Sequence, residues 1–210
     1  MRKRAARSAP AERRRLIIEG AERVFAASGY GADTAELARA GGVSAAALYR
    51  YFPTKKDLFV TTLAASGQRL IEIWRRIIGD APDPLHALDA IAGGYHEHGG
   101  SQPSVMRLWF QAMSDTDAPE VRAVLSDTFT ALTRMLEETV EAAQTQGLVS
   151  ADLNARVAAW DFMSIGVTFE MSRVIGVTGG GLGRTGFDEW RRHYFKSIGA
   201  AEMQARPPAK

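Results

Sequence analysis

Between Leu37 and Lys55 the chain gathers residues suited to holding a polyanion: Tyr49, Arg50, Tyr51 and Lys55 follow the turn Gly41-Gly42-Val43-Ser44. A guanidinium such as that of Arg50 can bond guanine O6 and N7 together, or rest on a phosphate, and residue type alone leaves both open. A Tyr hydroxyl is a neutral donor, and a Lys near the positive end of a helix adds charge there; both suit a phosphate better than a base edge. Bond-making chemistry has no comparable footing. No nucleophile elbow, phosphate loop or zinc-binding helix motif is present, and Gly179-Gly180-Gly181-Leu182-Gly183 lacks a preceding strand and the required spacing. The absence of cysteine excludes a disulfide scaffold, a thiolate nucleophile, a Cys-ligated zinc and an iron–sulfur cluster.

Such residues must be positioned by short helices. Leu16, Ile17, Ala21, Val24 and Phe25 recur at helical steps and stop at Gly29, which predicts a first helix from Ala11 to about Ser28. Asp33 or Thr34 can cap a second helix carrying Leu37 and Ala38, and Ser44 can cap a third running to about Phe52. Ala38 lets the two approach closely, Gly42 can take the positive φ of the turn, and Val43 and Leu48 fill the small core between them, the pattern of a helix-turn-helix. Pro53-Thr54 opens a long helix to about Ile78, with Thr54 and Asp57 as a capping-box variant. Later helices are expected over 84–95, 103–113, 119–146, 152–175 and 187–198, with a Gly-rich loop over 176–186. No strand pattern of useful length appears. The expected class is therefore all-α.

The set Ala21-x-x-Val24-Phe25-x-x-x-Gly29-Tyr30, Leu37-Ala38-x-x-x-Gly42-Val43-Ser44 and Leu48-Tyr49-x-Tyr51-Phe52-Pro53-Thr54-Lys55-x-x-Leu58 resembles the DNA-binding domain of the TetR family of repressors over residues 16–59. Two departures stand out: the segment from Gly29-Tyr30 to Leu37-Ala38 is one residue shorter than usual, and Gly41 replaces a common Ala. The resemblance implies that the helix from Ser44 lies in the major groove of double-stranded DNA. Ser44, Ala45, Ala46 and Ala47 would stand at its N-terminal turn, and Arg50 would meet a base or a phosphate. Tyr49, Tyr51 and Lys55 would position the backbone, with Thr34 counted among the contacts. The alanines offer only methyl contact, for example to a thymine methyl group.

The expected organisation is a basic arm over 1–10, the helix-turn-helix domain over 11–58, an effector-binding and dimerisation domain over 59–204 and a tail over 205–210. Charge follows it. Residues 1–60 hold 12 Lys+Arg against 6 Asp+Glu, while the remainder holds 14 against 18. Arg2, Lys3, Arg4 and Arg7 in the arm could track a minor groove or stay solvated. For the larger domain the resemblance implies a helical body that forms a homodimer through its last two long helices and encloses a small-molecule pocket. Pocket candidates are Trp74, Tyr95, His98, Met106, Trp109, Phe110, Met113 and Phe169, because large aromatic and flexible Met side chains line apolar cavities. No cofactor is expected. His96-Glu97-His98 is set aside as a metal site, since positions i and i+2 face apart on a helix. No apolar run reaches the roughly 18 residues that a spanning helix needs, so a cytoplasmic, DNA-associated protein is expected.

The leading expectation is a repressor released from a pseudo-palindromic operator by an apolar or aromatic ligand. The alternatives are a constitutive DNA-binding protein without effector, and a helical enzyme with a vestigial helix-turn-helix.

Overall fold

The computed structural model describes residues 9–97, 105–114, 117–177 and 183–200. Nine α-helices are found among them, with no strand: α1 (Pro10–Ser28), α2 (Thr34–Ala40), α3 (Ala45–Tyr51), α4 (Lys55–Asp80), α5 (Pro84–Glu97), α6 (Val105–Met113), α7 (Pro119–Thr145), α8 (Ala155–Val174) and α9 (Gly183–Ser197). The all-α expectation holds. A 3-10 turn, Gly29–Gly31, links α1 to α2.

The local punctuation acts where its chemistry predicts. Gly29 ends α1 at φ +66°, and Gly147 follows α7 at φ +71° with its N–H on Gln144 O and that of Leu148 on Ala143 O. Thr54 and Asp57 cap the start of α4 reciprocally: the Thr54 N–H donates to Asp57 Oδ2 at 3.0 Å, and the Asp57 N–H to Thr54 Oγ1 at 3.0 Å. Two starts differ from expectation. Helix α8 begins at Ala155, because the Asn154 side chain and not that of Asp152 accepts the Val157 N–H. Helix α9 begins at Gly183, so Gly183 to Gly186 are helical where a loop was expected. Burial of Phe187, with Trp190 packed against the same core, supplies the tertiary gain that offsets two poor helix formers. Residues 1–8 of the arm, the tail, Pro103 and the central glycines of that loop lie outside the described residues, while Pro10, expected in the arm, opens α1.

Two compact units form: Met1–Gln68 with Pro103–Ser126, and Arg69–Gln102 with Asp127–Lys210. The division falls inside α4 and α7 instead of at the expected boundary after residue 58. The reason is that α6 packs on α1, placing Leu108, Trp109 and Ala112 in one core with Ile17, Phe25 and Leu37. The indole N–H of Trp109 donates to Ser66 Oγ at 3.0 Å, which gives this large buried side chain a partner for its polar atom. Phe25 meets Phe59 edge to face at 5.0 Å in the same core.

The second unit is built around α5, α7, α8 and α9. Phe162, Phe169, Phe187, Trp190 and Tyr194 are joined by ring contacts. The Tyr194 hydroxyl donates to Ala158 O at 3.2 Å, and burial, then the Asp161 charge, push its ionisation far above the ordinary tyrosine range. Arg191 of α9 pairs with Asp89 of α5 in a largely covered site. The turn from α7 to α8 is clasped by the Gln144 amide, which donates to the carbonyls of Ser150, Ala151 and Leu153.

Candidate nucleic-acid interface

The helix-turn-helix rests on two short helices that are too brief to persist alone and are held by caps and burial. Asp33 Oδ1 accepts the Ala35 N–H at 2.8 Å, so Asp33 rather than Thr34 caps α2. Ser44 Oγ accepts the Ala47 N–H at 3.2 Å and caps α3. Between them Gly42 sits at φ +66°, and the Val43 N–H closes onto Ala38 O at 2.9 Å. Leu37, Ala38 and Leu48 are buried, Val43 packs against the same core, and Phe52 ends α3 as a buried plug. Ser44→Ala is expected to cost about 1 kcal/mol of stability, the usual worth of a helix cap, and a chemical-denaturation midpoint will register it. An unchanged midpoint would mean that α3 is held by burial alone.

The approach of α1 is what sequence reasoning missed. A Cβ on Gly20 would lie 2.4 Å from Ala40 O and 2.7 Å from Gly41 N, so only glycine lets α1 cross the end of α2 at this distance. At Gly41 a Cβ would lie 3.0 Å from Ile17 Cα, which explains glycine where the resemblance led one to expect alanine. A glycine embedded in the apolar stripe of a helix was the available signal for the first of these.

The expected contact residues fall into two neighbourhoods of this surface. Thr34, Tyr49 and Lys55 border one shallow dent over Leu37, Leu48 and Leu58. There Thr34 Oγ1 stands 3.4 Å from the Tyr49 hydroxyl, and the Lys55 ammonium lies over the Tyr30 ring, 5.1 Å from its centroid. Ala47, Arg50 and Tyr51 border the other neighbourhood, with Arg13 from α1. Ser44, Ala45, Ala46 and Arg50 are exposed, and Ala47 and Tyr51 are half-buried.

The pocket candidates are not gathered in one unit. Trp74 and Phe169 belong to the second unit's core, while Met106, Trp109, Phe110 and Met113 lie on α6 in the first. The side chain of Tyr95, and His98 altogether, lie outside the described residues, as do the side chains of His96 and Glu97.

A capped, exposed helix after a glycine turn, carried on a longer buttressing helix, defines a helix-turn-helix. Comparison with known proteins narrows this. A family model described as bacterial regulatory proteins, tetR family, matches residues 17–61. The HTH-type transcriptional regulator UidR of Escherichia coli (strain K12) is 22% identical over 147 residues, 70% of this chain and 74% of UidR. Among solved structures, a transcriptional regulator from Saccharomonospora viridis in complex with choline superposes with a TM-score of 0.75 at 22% identity, covering 90% of this chain and 96% of that one. A TetR-family regulator from Agrobacterium tumefaciens gives 0.74 at 20% identity over 91% and 100% of the two chains. Residues 17–61 thus match the DNA-binding segment of the tetR family of bacterial regulatory proteins, and the chain shares the all-helical fold of these solved regulators. No helix among the described residues is long and apolar enough to cross a membrane.

Proposed function

We propose that this protein is a homodimeric repressor that binds a pseudo-palindromic operator and leaves it when a small ligand binds the helical body. The observation that carries the DNA-binding part is the exposed, capped face of α3, with Ala45, Ala46 and Arg50 in the solvent and Thr34, Tyr49, Tyr51 and Lys55 beside it. In this reading α3 enters the major groove, the alanines offer methyl contact, and the polar groups hold phosphates.

Dimerisation is assigned to α8 and α9. One face of α8 leaves Val157, Trp160 and Met171 exposed, and Ile175, just past its end, continues the stripe at 65% exposure. Ser164 and Thr168 complete that stripe, and their hydroxyls bond back to the carbonyls of Trp160 and Ser164, so they add little unmet polarity. A row of exposed apolar side chains on one helix suits burial against a second copy, with the two-fold symmetry that sets two recognition helices on one duplex. The outer side of α9 carries Glu189, Arg192, His193 and Lys196 instead, so α8 supplies the apolar part.

The ligand-responsive part is supported by the fold shared with the choline-bound relative, and Trp74 and Phe169 are the residues of the second unit to test first. Ligand binding would shift the population away from the DNA-competent arrangement, with coupling on the order of 5–150-fold in operator affinity. An effector that binds without changing operator affinity would remove this part and favour a constitutive DNA-binding protein.

The direct test is selection from random duplex DNA at about 150 mM salt, near physiological. The expected result is an enriched inverted repeat with half-sites about one helical turn, roughly 34–36 Å, apart. Recovery of unrelated sequences only would overturn sequence-specific operator binding.

A further inference from the structure

Three consecutive arginines at the start of α1 have three different surroundings. Arg15 is paired with Glu12 and Glu19, and Arg14 lies over the Phe52 ring, 4.9 Å from its centroid. Arg13 has no acidic partner among the described residues and, with Arg50 of α3, borders an open groove of about 430 Å³. Pro10, Val43 and Ala47 give the groove apolar walls, Tyr51 borders it as well, and among the described residues no Asp or Glu does. Two guanidiniums held on one groove without a counter-charge repel each other in the free protein, and an anion between them turns that repulsion into attraction.

We propose that this groove seats a backbone phosphate of the bound duplex, gripped by Arg13 and Arg50 together, so that Arg50 positions α3 instead of reading a base. The inference rests on the DNA-binding reading above. It favours the phosphate over the base for Arg50, because that side chain lines a groove it shares with Arg13 in the first turn of α1. A second anchor, formed by Thr34, Tyr49 and Lys55, lies in the other neighbourhood of the interface. Ala45 and Ala46 are then the exposed residues of α3 left to meet base edges. Sequence preference arises from methyl contact and from the shape of the duplex.

The test titrates the full-length chain with the duplex recovered by selection and with a scrambled duplex of equal composition, at several salt concentrations. Arg13→Ala and Arg50→Ala are each expected to weaken both duplexes by the same factor, roughly tenfold. The double variant R13A/R50A should lower the slope of log affinity against log salt by about 0.9 per bound protomer, the signature of one lost phosphate contact. Each single change should lower it by less, since the remaining arginine still meets the same phosphate. Arg13→Lys should keep the slope; Arg50 is exposed and Arg13 half-buried, and circular dichroism is expected to show folding intact in every variant. Wild-type affinity for Arg13→Ala on both duplexes would overturn the groove while leaving DNA binding standing. So would a loss for Arg50→Ala confined to the selected duplex. Failure of the wild-type chain to bind either duplex would overturn the DNA-binding reading itself.

Discussion

Gly20→Ala is expected to destabilise the helix-turn-helix unit by about 3 kcal/mol, the upper part of the usual range for forced overpacking. Two effects oppose each other at this position. Alanine favours a helix interior over glycine by about 1 kcal/mol, which would stabilise α1 if nothing else changed. Here, however, the added Cβ would stand 2.4 Å from Ala40 O, 2.5 Å from Ala40 C and 2.7 Å from Gly41 N, all of them backbone atoms that cannot rotate aside. Relief requires α1 to lift from the end of α2, which opens the core around Ile17, Leu37 and Ala38 and disturbs the turn that aims α3. Thermal unfolding should show a fall on the order of 10 °C, and operator affinity should drop at temperatures where the wild-type chain still binds. Gly79→Ala is the control. It lies in α4, where an added Cβ meets nothing, and is expected to stabilise slightly, by up to about 1 kcal/mol. If both substitutions behave alike, the close approach of α1 to α2 is not what glycine provides at position 20.

Ile175→Arg is expected to convert the proposed dimer to monomer. At 65% exposure Ile175 has little role in its own chain's core, so folding should survive while the stripe along α8 acquires a charge that two-fold packing would bury opposite its own copy. Sedimentation at micromolar concentration should show the change in mass directly. Operator affinity should fall by about 10²-fold or more, because two recognition helices joined through a dimer bind their half-sites at high effective concentration and separate monomers do not. Trp160 is a less clean probe, since its ring also packs at 5.5 Å on Phe129. A dimer that persists in Ile175→Arg would relocate the interface away from this face.

How much was legible in the sequence follows from the range over which each signal acts. The stop at Gly29, the positive φ of Gly42, the cap at Ser44 and the Thr54–Asp57 box were all readable, because each involves partners within about four residues along the chain. The start of α9 was not. Local propensity penalises Gly183 and Gly186, and only the burial of Phe187 beside Trp190, in a core assembled from distant helices, reverses that preference. The cap of α8 was misplaced by two residues because Asp152 and Asn154 are both good cap residues and geometry alone chooses between them. For the pocket, aromatic and Met content indicated apolar lining but not which body each side chain joins. Trp109 looked like Trp74 in composition, yet it is buried against the helix-turn-helix with its indole held by Ser66.

The amino-acid order by itself determined the helical class and, to within about two residues, the boundaries of α1 to α4. These depend on periodicity, caps and turn chemistry, which are written in neighbouring positions. Only the tertiary structure decided that α6 packs with the helix-turn-helix, that Gly20 must be glycine, and that Arg13, one of three adjacent arginines, shares a groove with Arg50. Each of these is a contact between residues far apart in the chain. Periodicity tells which face of a helix is apolar, but the choice of which other face covers it is made by packing many side chains at once in three dimensions.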